Sequence, residues 1–501
     1  MLQHFLHLAR NSIAYLVAYF VPAFLGVLLL PLYTRFLSTD EYGITAVAES
    51  IAVFLLAFYQ LGLLAAYMRF YFDYRDDPAE LRRHISTIAI FVMVYGLVLS
   101  TLLTLLGSPL ERLMPGVPFS PYIQMAVWSS YFNLIFLLGL NLYRTEQKSN
   151  RYLVFSAAHV AFTQLLTIFL VVVLKEGAKG YIAAILISNA LFSLLSLWLL
   201  RRYLGPVFDP HKLKAGLRYG LPLVPHILGV WMFHTADRLM LTSLAGPSEA
   251  GLYAVGYRVG QGVNLIASAI NFAWGPFFYS QMKDRGDAAK GEAVRFITYW
   301  VMAMCFTFVI AIIFSRELVT LLAAPEYRDC YRVVPLIALG FLFQGFYFAV
   351  VNPLFWLRKT PLIAAGTLTS GILNVVLNLV LIPHMQMMGA AVASAISNLY
   401  CFLFIAFFSL KLFPVPYEYR RLAKIGAAAA ACYLLSLAAE QLSGFWVVFA
   451  AKLPIILVFP LILLGLRFLQ EEERQALRRL VKAAVSRAKE KLGRIAALLG
   501  P

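Results

Sequence analysis

Apolar runs of about 20 residues, the length that spans a ~30 Å hydrocarbon core, recur along the whole chain. They fall at 11–33, 44–68, 85–106, 123–143, 152–174, 181–200 and 220–244. They continue at 252–277, 296–314, 333–356, 362–382, 389–410, 425–439 and 445–466. This pattern predicts an all-α polytopic membrane protein with about fourteen transmembrane helices. Composition agrees and excludes a soluble globular fold. The 501 residues are 61% hydrophobic and 13% charged, with a mean hydropathy of +0.77.

Charge placement then gives the orientation. An even number of spans puts both termini on one side, and most of the 42 lysines and arginines fall on that side. The clusters are Arg82-Arg83, Arg144/Lys148/Arg151, Arg201-Arg202/Lys212/Lys214, Arg358-Lys359 and Arg420-Arg421. By the positive-inside bias both termini are expected in the cytoplasm. The net charge of +17 is therefore a topology signal, and no soluble basic domain exists to bind nucleic acid. Of the four cysteines only Cys330 falls in an expected outside loop, so no external disulfide is available, and none has metal-ligand spacing. The first apolar run is too long for a signal peptide and has no cleavage site, so it is expected to remain as a helix. After Leu466 the pattern changes. Leu477, Leu480, Val481, Ala484, Val485, Ala488, Leu492 and Ile495 keep helical spacing among basic residues. That reads as an amphipathic helix on an anionic leaflet or, alternatively, on a partner protein.

The chain also repeats itself. The sixth span begins Gly180-Tyr-Ile-Ala-Ala-Ile-Leu-Ile-Ser-Asn189 and the twelfth Gly389-Ala-Ala-Val-Ala-Ser-Ala-Ile-Ser-Asn398, with half of the positions identical. An arginine follows the span two before each, Arg144 and Arg358. Glu41-Tyr-Gly43 and Glu249-Ala-Gly251 each open the second helix of a hairpin. Two pseudo-symmetric six-helix lobes are expected, 1–205 and 206–415, related by an axis along the membrane normal with substrate between them. Two extra helices (416–467) and a basic tail (468–501) complete the division.

At these residues the chain resembles a family. Leu30-Pro-Leu-Tyr-Thr-Arg-Phe-Leu37 with Tyr42-Gly43 is similar to the first hairpin of the polysaccharide exporters in the multidrug/oligosaccharidyl-lipid/polysaccharide superfamily. Tyr219-Gly-Leu-Pro-Leu-Val-Pro225, Asp237-Arg238 and Gly251-Leu-Tyr253 look like its seventh and eighth spans, and Asn374-Val-Val-Leu-Asn-Leu-Val-Leu-Ile-Pro383 with Gly389-Ala-Ala391 like its eleventh and twelfth. The connection His384-Met-Gln-Met-Met388 departs from that pattern in lacking a glycine. The resemblance covers nearly the whole chain. It implies the fold of Wzx-type flippases for lipid-linked oligosaccharides, with lipid II flippases and drug antiporters as more distant relatives.

No Walker loop, nucleophile elbow or paired Cys/His metal motif stands in a suitable context, so the chain is read as a transporter, not an enzyme, with no cofactor. Function is then sought in the charges that interrupt apolar spans, each costing roughly 2.5–3.5 kcal/mol on insertion scales. Arg258 lies inside its span. Asp237 and Arg258 each sit about seven residues from the turn between the seventh and eighth spans, roughly 10 Å below the outer surface. An Asp237–Arg258 pair is geometrically reasonable, and either fixes helix packing or leaves the arginine as a ligand. Glu49 and Arg258 follow Gly43 and Gly251 at near-equivalent distances and are expected to face each other across a central cleft. By resemblance to lipid II flippases, an arginine here belongs to the cavity for an anionic head group, where its planar fork suits a diphosphate. Glu49 would repel phosphate unless protonated, so it reads as a proton or cation site or as a residue near the interface. Arg238 is close enough to its helix end to snorkel. Arg35 and Arg69 read as interface anchors. His234 shares a face with Asp237 and either titrates with transport or packs. Asn374 and Asn378 are one turn apart and either join helices or bind sugar. Lys452, before Pro454, is ambiguous. Tyr15, Tyr19, Phe20, Tyr67, Phe70 and Tyr71 read as interface belts, and Pro222/Pro225 as a bend in the seventh span.

The expected activity is movement of a polyprenyl-diphosphate-linked oligosaccharide across a bacterial cytoplasmic (inner) membrane by alternating access. It would serve surface polysaccharide such as the O-antigen of lipopolysaccharide. Coupling to H+, Na+ or the membrane potential, and partnership with polysaccharide polymerase and glycosyltransferases, go with that reading. A cation-coupled small-molecule antiporter on the same fold is the alternative; the extra helices at 425–466 suit a lipid tail and are not needed for a small solute. A scaffold for glycan-synthesis enzymes would not need charges inside the spans.

Overall fold

The computed structural model describes residues 17–18, 20–107, 109, 111, 116–471 and 473–475. The amphipathic tail, Tyr15 and Tyr19 lie outside them. Among the described residues the fold is helical throughout, without a strand. In chain order the helices are α1 (Leu30–Phe36), α2 (Thr39–Gln60), α3 (Leu63–Tyr74), α4 (Pro78–Leu105), α5 (Gln124–Thr145), α6 (Ser149–Ile168), α7 (Gly177–Leu200), α8 (Pro210–Gly220) and α9 (Val224–His234). There follow α10 (Ala236–Ala245), α11 (Pro247–Gly260), α12 (Gly262–Arg285), α13 (Lys290–Ile313), α14 (Ser315–Leu322), α15 (Val334–Trp356), α16 (Thr360–Leu412), α17 (Tyr419–Ala439) and α18 (Phe445–Gly465).

Ten helices among the described residues are long and apolar enough to cross a membrane. Two continuous stretches, Gly262–Ile313 and Thr360–Leu412, each carry more than one of the expected spans. The expected span 252–277 is divided at Gln261, so its first part, with Arg258, falls in the 14-residue α11, outside the ten. The expected spans missing from the ten are 11–33, which begins outside the described residues, and 220–244, which is broken. The break is at Thr235, whose φ of −139° and ψ of −20° end α9 before α10 begins. It is not at the prolines. Pro222 sits in a short 3-10 turn and Pro225 at the start of α9, where a missing N–H costs nothing. The Thr235 carbonyl, which takes a long bond from the Arg238 N–H at 3.4 Å, also accepts from the Ser50 hydroxyl at 2.7 Å, and Trp231 Nε1 donates to the Ser50 carbonyl at 2.9 Å. A helix can break at membrane depth only when its backbone is satisfied in this way.

The described residues of Met1–Ala289 with Phe314–Val415 form one compact unit, and those of Lys290–Ile313 with Pro416–Pro501 the other. In the first unit, helix starts are set by side-chain caps. Ser38 and Glu41 make reciprocal bonds at the head of α2, while Asp77-Pro78 and Asp209-Pro210 open α4 and α8. Each such cap is worth about 1 kcal/mol. The decisive packing event is the crossing of α2 and α11. A Cβ added to Gly43 would run into the Pro247 carbonyl, and one added to Gly251 into the Thr39 carbonyl. Small residues let the two backbones approach this closely.

The internal repeat appears as an equivalent contact in each half. Glu41 Oε1 accepts from the Ala178 N–H at 3.4 Å, at the head of α7. Glu249 Oε2 accepts from the Met387 N–H at 3.1 Å, at the head of the second half of α16. Gly180 and Gly389, the repeat's anchor positions, stand two residues beyond these N–H groups.

In the second unit Arg421 is the organising side chain. It pairs with Glu418 and Glu473, both at 3.0 Å, and its guanidinium lies 4.3 Å from the Phe468 ring. Lys452 is buried and pairs with Glu440 at 3.1 Å. Three of the residues expected in interface belts behave otherwise. Tyr67 and Tyr71 are buried, and Tyr67, Phe70 and Tyr74 surround buried His84, with ring centroids 6.3, 5.9 and 5.3 Å away. All four cysteines are free and buried, including Cys330.

The glycine missing from 384–388 leaves a mark. Gln386 adopts φ 51° and ψ −131°, a region that only glycine enters without strain. Such strain costs of order 1–3 kcal/mol. Gln386→Gly should therefore raise the thermal unfolding midpoint of the purified protein, by the equivalent of about 1 kcal/mol after the entropic cost of glycine. A lower midpoint would show that the turn is held without strain.

Candidate functional site

The first unit holds a cavity of about 600 Å3, walled by residues of α1, α2, α7, α9, α10, α11, α12 and α15, with residues between 22 and 27 and Gln164 from α6. Among the charged residues singled out in the sequence, it gathers Glu49, Arg238 and Arg258, with His234 beside them. Asp237, Asn374 and Asn378 are not in its wall.

Arg258 is placed by the glycine crossing. Past Gly43 and Gly251, α2 and α11 carry Glu49 and Arg258 along facing sides, and Arg258 Nη2 lies 3.6 Å from Glu49 Oε2. Tyr181 closes the group: its hydroxyl donates to Glu49 Oε1 at 2.8 Å and accepts from Arg258 Nη2 at 3.4 Å. The Arg258 guanidinium stands 5.5 Å from the Tyr42 ring. A guanidinium has five N–H donors. Both polar contacts described for it are on Nη2 and longer than 3.3 Å, so donor capacity remains for a ligand. The ion pair is loose and wet, with side-chain exposures of 23% for Arg258 and 42% for Glu49. At such exposure it contributes little to stability.

Asp237 does not pair with Arg258. Its Oδ2 accepts from the Tyr253 hydroxyl at 2.5 Å, and its Oδ1 accepts from the Arg238 N–H at 2.8 Å and lies 3.6 Å from Arg238 Nη1. Tyr253 and Arg258 are five residues apart on one helix, about 140° around its axis and ~7.5 Å along it, so they face different neighbours. Asp237 is 2% exposed. Arg238 does not snorkel to the interface: Nη1 donates to the His234 carbonyl at 2.9 Å and the guanidinium lies 4.3 Å from the Tyr257 ring. His234 Nε2 meets Gln344 Nε2 at 3.4 Å. The broken helix is thus pinned on both sides of Thr235 by buried polar contacts.

Asn378 donates to Asn374 Oδ1 at 2.9 Å, and both are buried, behind the wall and not in it. Arg69 is exposed and bonded to Asp73 at 2.6 Å.

The sequence reading missed the neutral polar residues of the wall. Tyr33 donates to Gln164 Oε1 at 2.5 Å and packs edge-on against Tyr181, with ring centroids 5.5 Å apart. Tyr42 Oη and Gln344 Oε1 are buried without a hydrogen-bond partner among the described residues. Unsatisfied buried groups cost about 1–3 kcal/mol each, so polar atoms at a cavity wall mark where a polar ligand is accommodated. Only Tyr42 carried a signal, through its place beside Gly43. No group of acidic, histidine and cysteine side chains among the described residues is arranged to hold a metal ion.

The chain is similar to several known proteins. An uncharacterized membrane protein of Methanocaldococcus jannaschii is 23% identical, over 81% of this chain and 96% of its own. Lsg locus putative protein 1 of Haemophilus influenzae is 23% identical, over 55% of this chain and 67% of its own. Among solved structures, the lipid II flippase MurJ in an inward closed conformation is similar over 91% of this chain and 99% of its own, with a TM-score of 0.72 at 14% identity. An inward-facing multidrug resistance transporter of the MATE family is similar over 82% and 96%, with a TM-score of 0.59 at 15% identity. These identities establish a shared fold. The family described as polysaccharide biosynthesis protein matches residues 8–282, more than half of the chain, and the protein belongs to that family.

Proposed function

We propose that the protein is a flippase carrying a polyprenyl-diphosphate-linked oligosaccharide from the inner to the outer leaflet of a bacterial cytoplasmic membrane, for surface polysaccharide biosynthesis. One observation carries the reading. Arg258, an arginine within the apolar run 252–277, stands in the wall of a polar cavity with guanidinium donors to spare. The volume of about 600 Å3 lies within the usual range for ligand sites and has room for a diphosphate with its first sugars. A planar fork grips phosphate with two parallel bonds. Family membership and the fold shared with a lipid II flippase support the same substrate class.

In this mechanism the lobes 1–205 and 206–415 rock about the crossing of α2 and α11, and the cavity opens to each side in turn. Glu49 is the coupling group. As a carboxylate it occupies Arg258; once protonated it releases the arginine to the diphosphate. Proton binding and head-group binding then favour each other by linkage. Arg238 and His234 line the path, and Asp237 holds Arg238 in place. Asn374 and Asn378 brace the second lobe.

Deletion of the gene should abolish surface polysaccharide and leave its lipid-linked precursor in the inner leaflet. Arg258→Ala should reproduce that defect at normal protein level. Arg258→Lys should retain partial export, because an ammonium keeps the charge without bidentate contact. Asp237→Asn should instead lower the amount and thermal stability of the protein, since breaking a buried pair costs about 3–5 kcal/mol. Full export by Arg258→Ala would remove the site, and unchanged polysaccharide in the deletion strain would remove the function. Glu49→Gln should keep head-group binding and flatten its dependence on pH; an unaltered pH profile would rule out the coupling role.

With both termini cytoplasmic, Glu111 is outside and Gly286 inside. The native cysteines are buried, so background labelling should be low. An impermeant thiol reagent applied to intact cells should label Glu111→Cys and spare Gly286→Cys. The reverse result would invert the topology.

A further inference from the structure

Two basic clusters far apart in the sequence, Lys148/Arg151 and Arg201/Arg202, converge on one pocket. A cavity of about 290 Å3 lies where α5 ends, α6 begins and α7 ends. Its wall carries these four cations and one carboxylate, Glu146. That carboxylate is already engaged: Lys148 Nζ donates to Glu146 Oε2 at 2.6 Å and the Tyr203 hydroxyl donates to Oε1 at 3.2 Å. Arg201 stacks on Trp198, 4.3 Å from the ring centroid. Among the described residues Arg151 and Arg202 have no carboxylate partner. The turn that presents Lys148 and Arg151 is tight. Gln147 takes φ 58°, and the Lys148 N–H returns to the Tyr143 carbonyl at 2.9 Å.

Topology alone requires basic residues near one membrane surface; it does not require them gathered around a pocket with two arginines unpaired. The position along α7 is informative. Tyr181 lines the central cavity and Arg201 this pocket, 20 residues and ~30 Å apart, so the pocket lies a full hydrocarbon thickness away, at head-group level. The helix faces next to it are apolar and exposed: Leu194 is 63% and Trp198 57% exposed on one face of α7, and Val154 on α6 is 68% exposed.

We propose that this pocket binds the phosphate of an anionic phospholipid in the adjoining leaflet, with Arg151 and Arg202 on the phosphate and the acyl chains along Leu194 and Trp198. Arginine forks match phosphate oxygens, and basic pockets between transmembrane helices at the membrane surface take anionic head groups. A free phosphate ion shares that chemistry, but it has no use for the apolar face. The site stands apart from Arg258 and does not rest on the flippase reading.

The full-length protein in detergent should bind phosphatidylglycerol, and not phosphatidylcholine of the same chain length, measured by titration and by retention in native mass spectrometry. The double variant Arg151→Gln/Arg202→Gln should weaken phosphatidylglycerol binding roughly 10- to 30-fold. Arg151→Gln alone, at an exposed position, should weaken it less, and serves as the test if the double variant folds poorly. Arg258→Ala should bind it as well as the parent. Inorganic phosphate at millimolar concentration should not displace the lipid. Equal binding by parent and Arg151→Gln, or no preference for the anionic lipid, would overturn the proposal. Displacement by inorganic phosphate would overturn the lipid as its source.

Discussion

Two helix backbones nearly touch where Gly43 of α2 meets Pro247 and Gly251 of α11 meets Thr39. In lipid no hydrophobic force holds helices together, so close backbone packing has to supply much of the attraction. Any side chain on either glycine would push the helices apart. Everything at the cavity wall inherits its position from this contact. Glu49 and Arg258 follow the glycines at similar spacing and come to within 3.6 Å of each other. Tyr42, next to Gly43, is pressed 5.9 Å from Tyr327, whose hydroxyl donates to the Leu37 carbonyl at 2.8 Å. A charged pair set among apolar helices needs a rigid frame, and the crossing supplies it.

The charges around the cavity divide into a tight set and a loose set. Asp237, Arg238 and Tyr253 are buried or nearly so and bonded at hydrogen-bond distance, around a helix break that exposes backbone groups. Burying charge there is costly unless every partner is met, and the partners are met. Glu49 and Arg258 are no closer than Asp237 and Arg238, are more exposed, and are backed by a tyrosine that can donate to one while accepting from the other. The first set keeps its geometry whatever enters the cavity. The second can exchange partners at little cost.

Much of this was legible in the sequence. Apolar run lengths gave the helices, because the hydrocarbon thickness leaves little freedom. The glycine spacing pointed to the Glu49–Arg258 encounter, because two regular helices crossing at known residues carry near-equal offsets to facing positions. Rotation about the helix axis was less accessible. Counting residues placed Asp237 and Arg258 at one depth but could not show that Tyr253, about 140° round α11, takes the aspartate. The break at Thr235 had no proline to announce it; its stabilising contact, Ser50, is 185 residues away. Tyr181, Gln164 and Gln344 look like ordinary polar interruptions until the helices bring them to one wall. The basic pocket was hidden for the opposite reason, since its residues already had a sufficient explanation in topology.

Glu41 and Glu249 each bind the head of a late helix in their own half, so the two halves keep the same internal brace. Across the centre they differ: near-equivalent positions hold Glu49 on one side and Arg258 on the other. A dimer of identical half-length chains would bring such positions against their own copies, glutamate on glutamate or arginine on arginine. Joining the halves in one polypeptide frees each side to take its own sign. The attractive pair at the centre is therefore a property of the linked chain, one that a symmetric assembly of either half alone would lack.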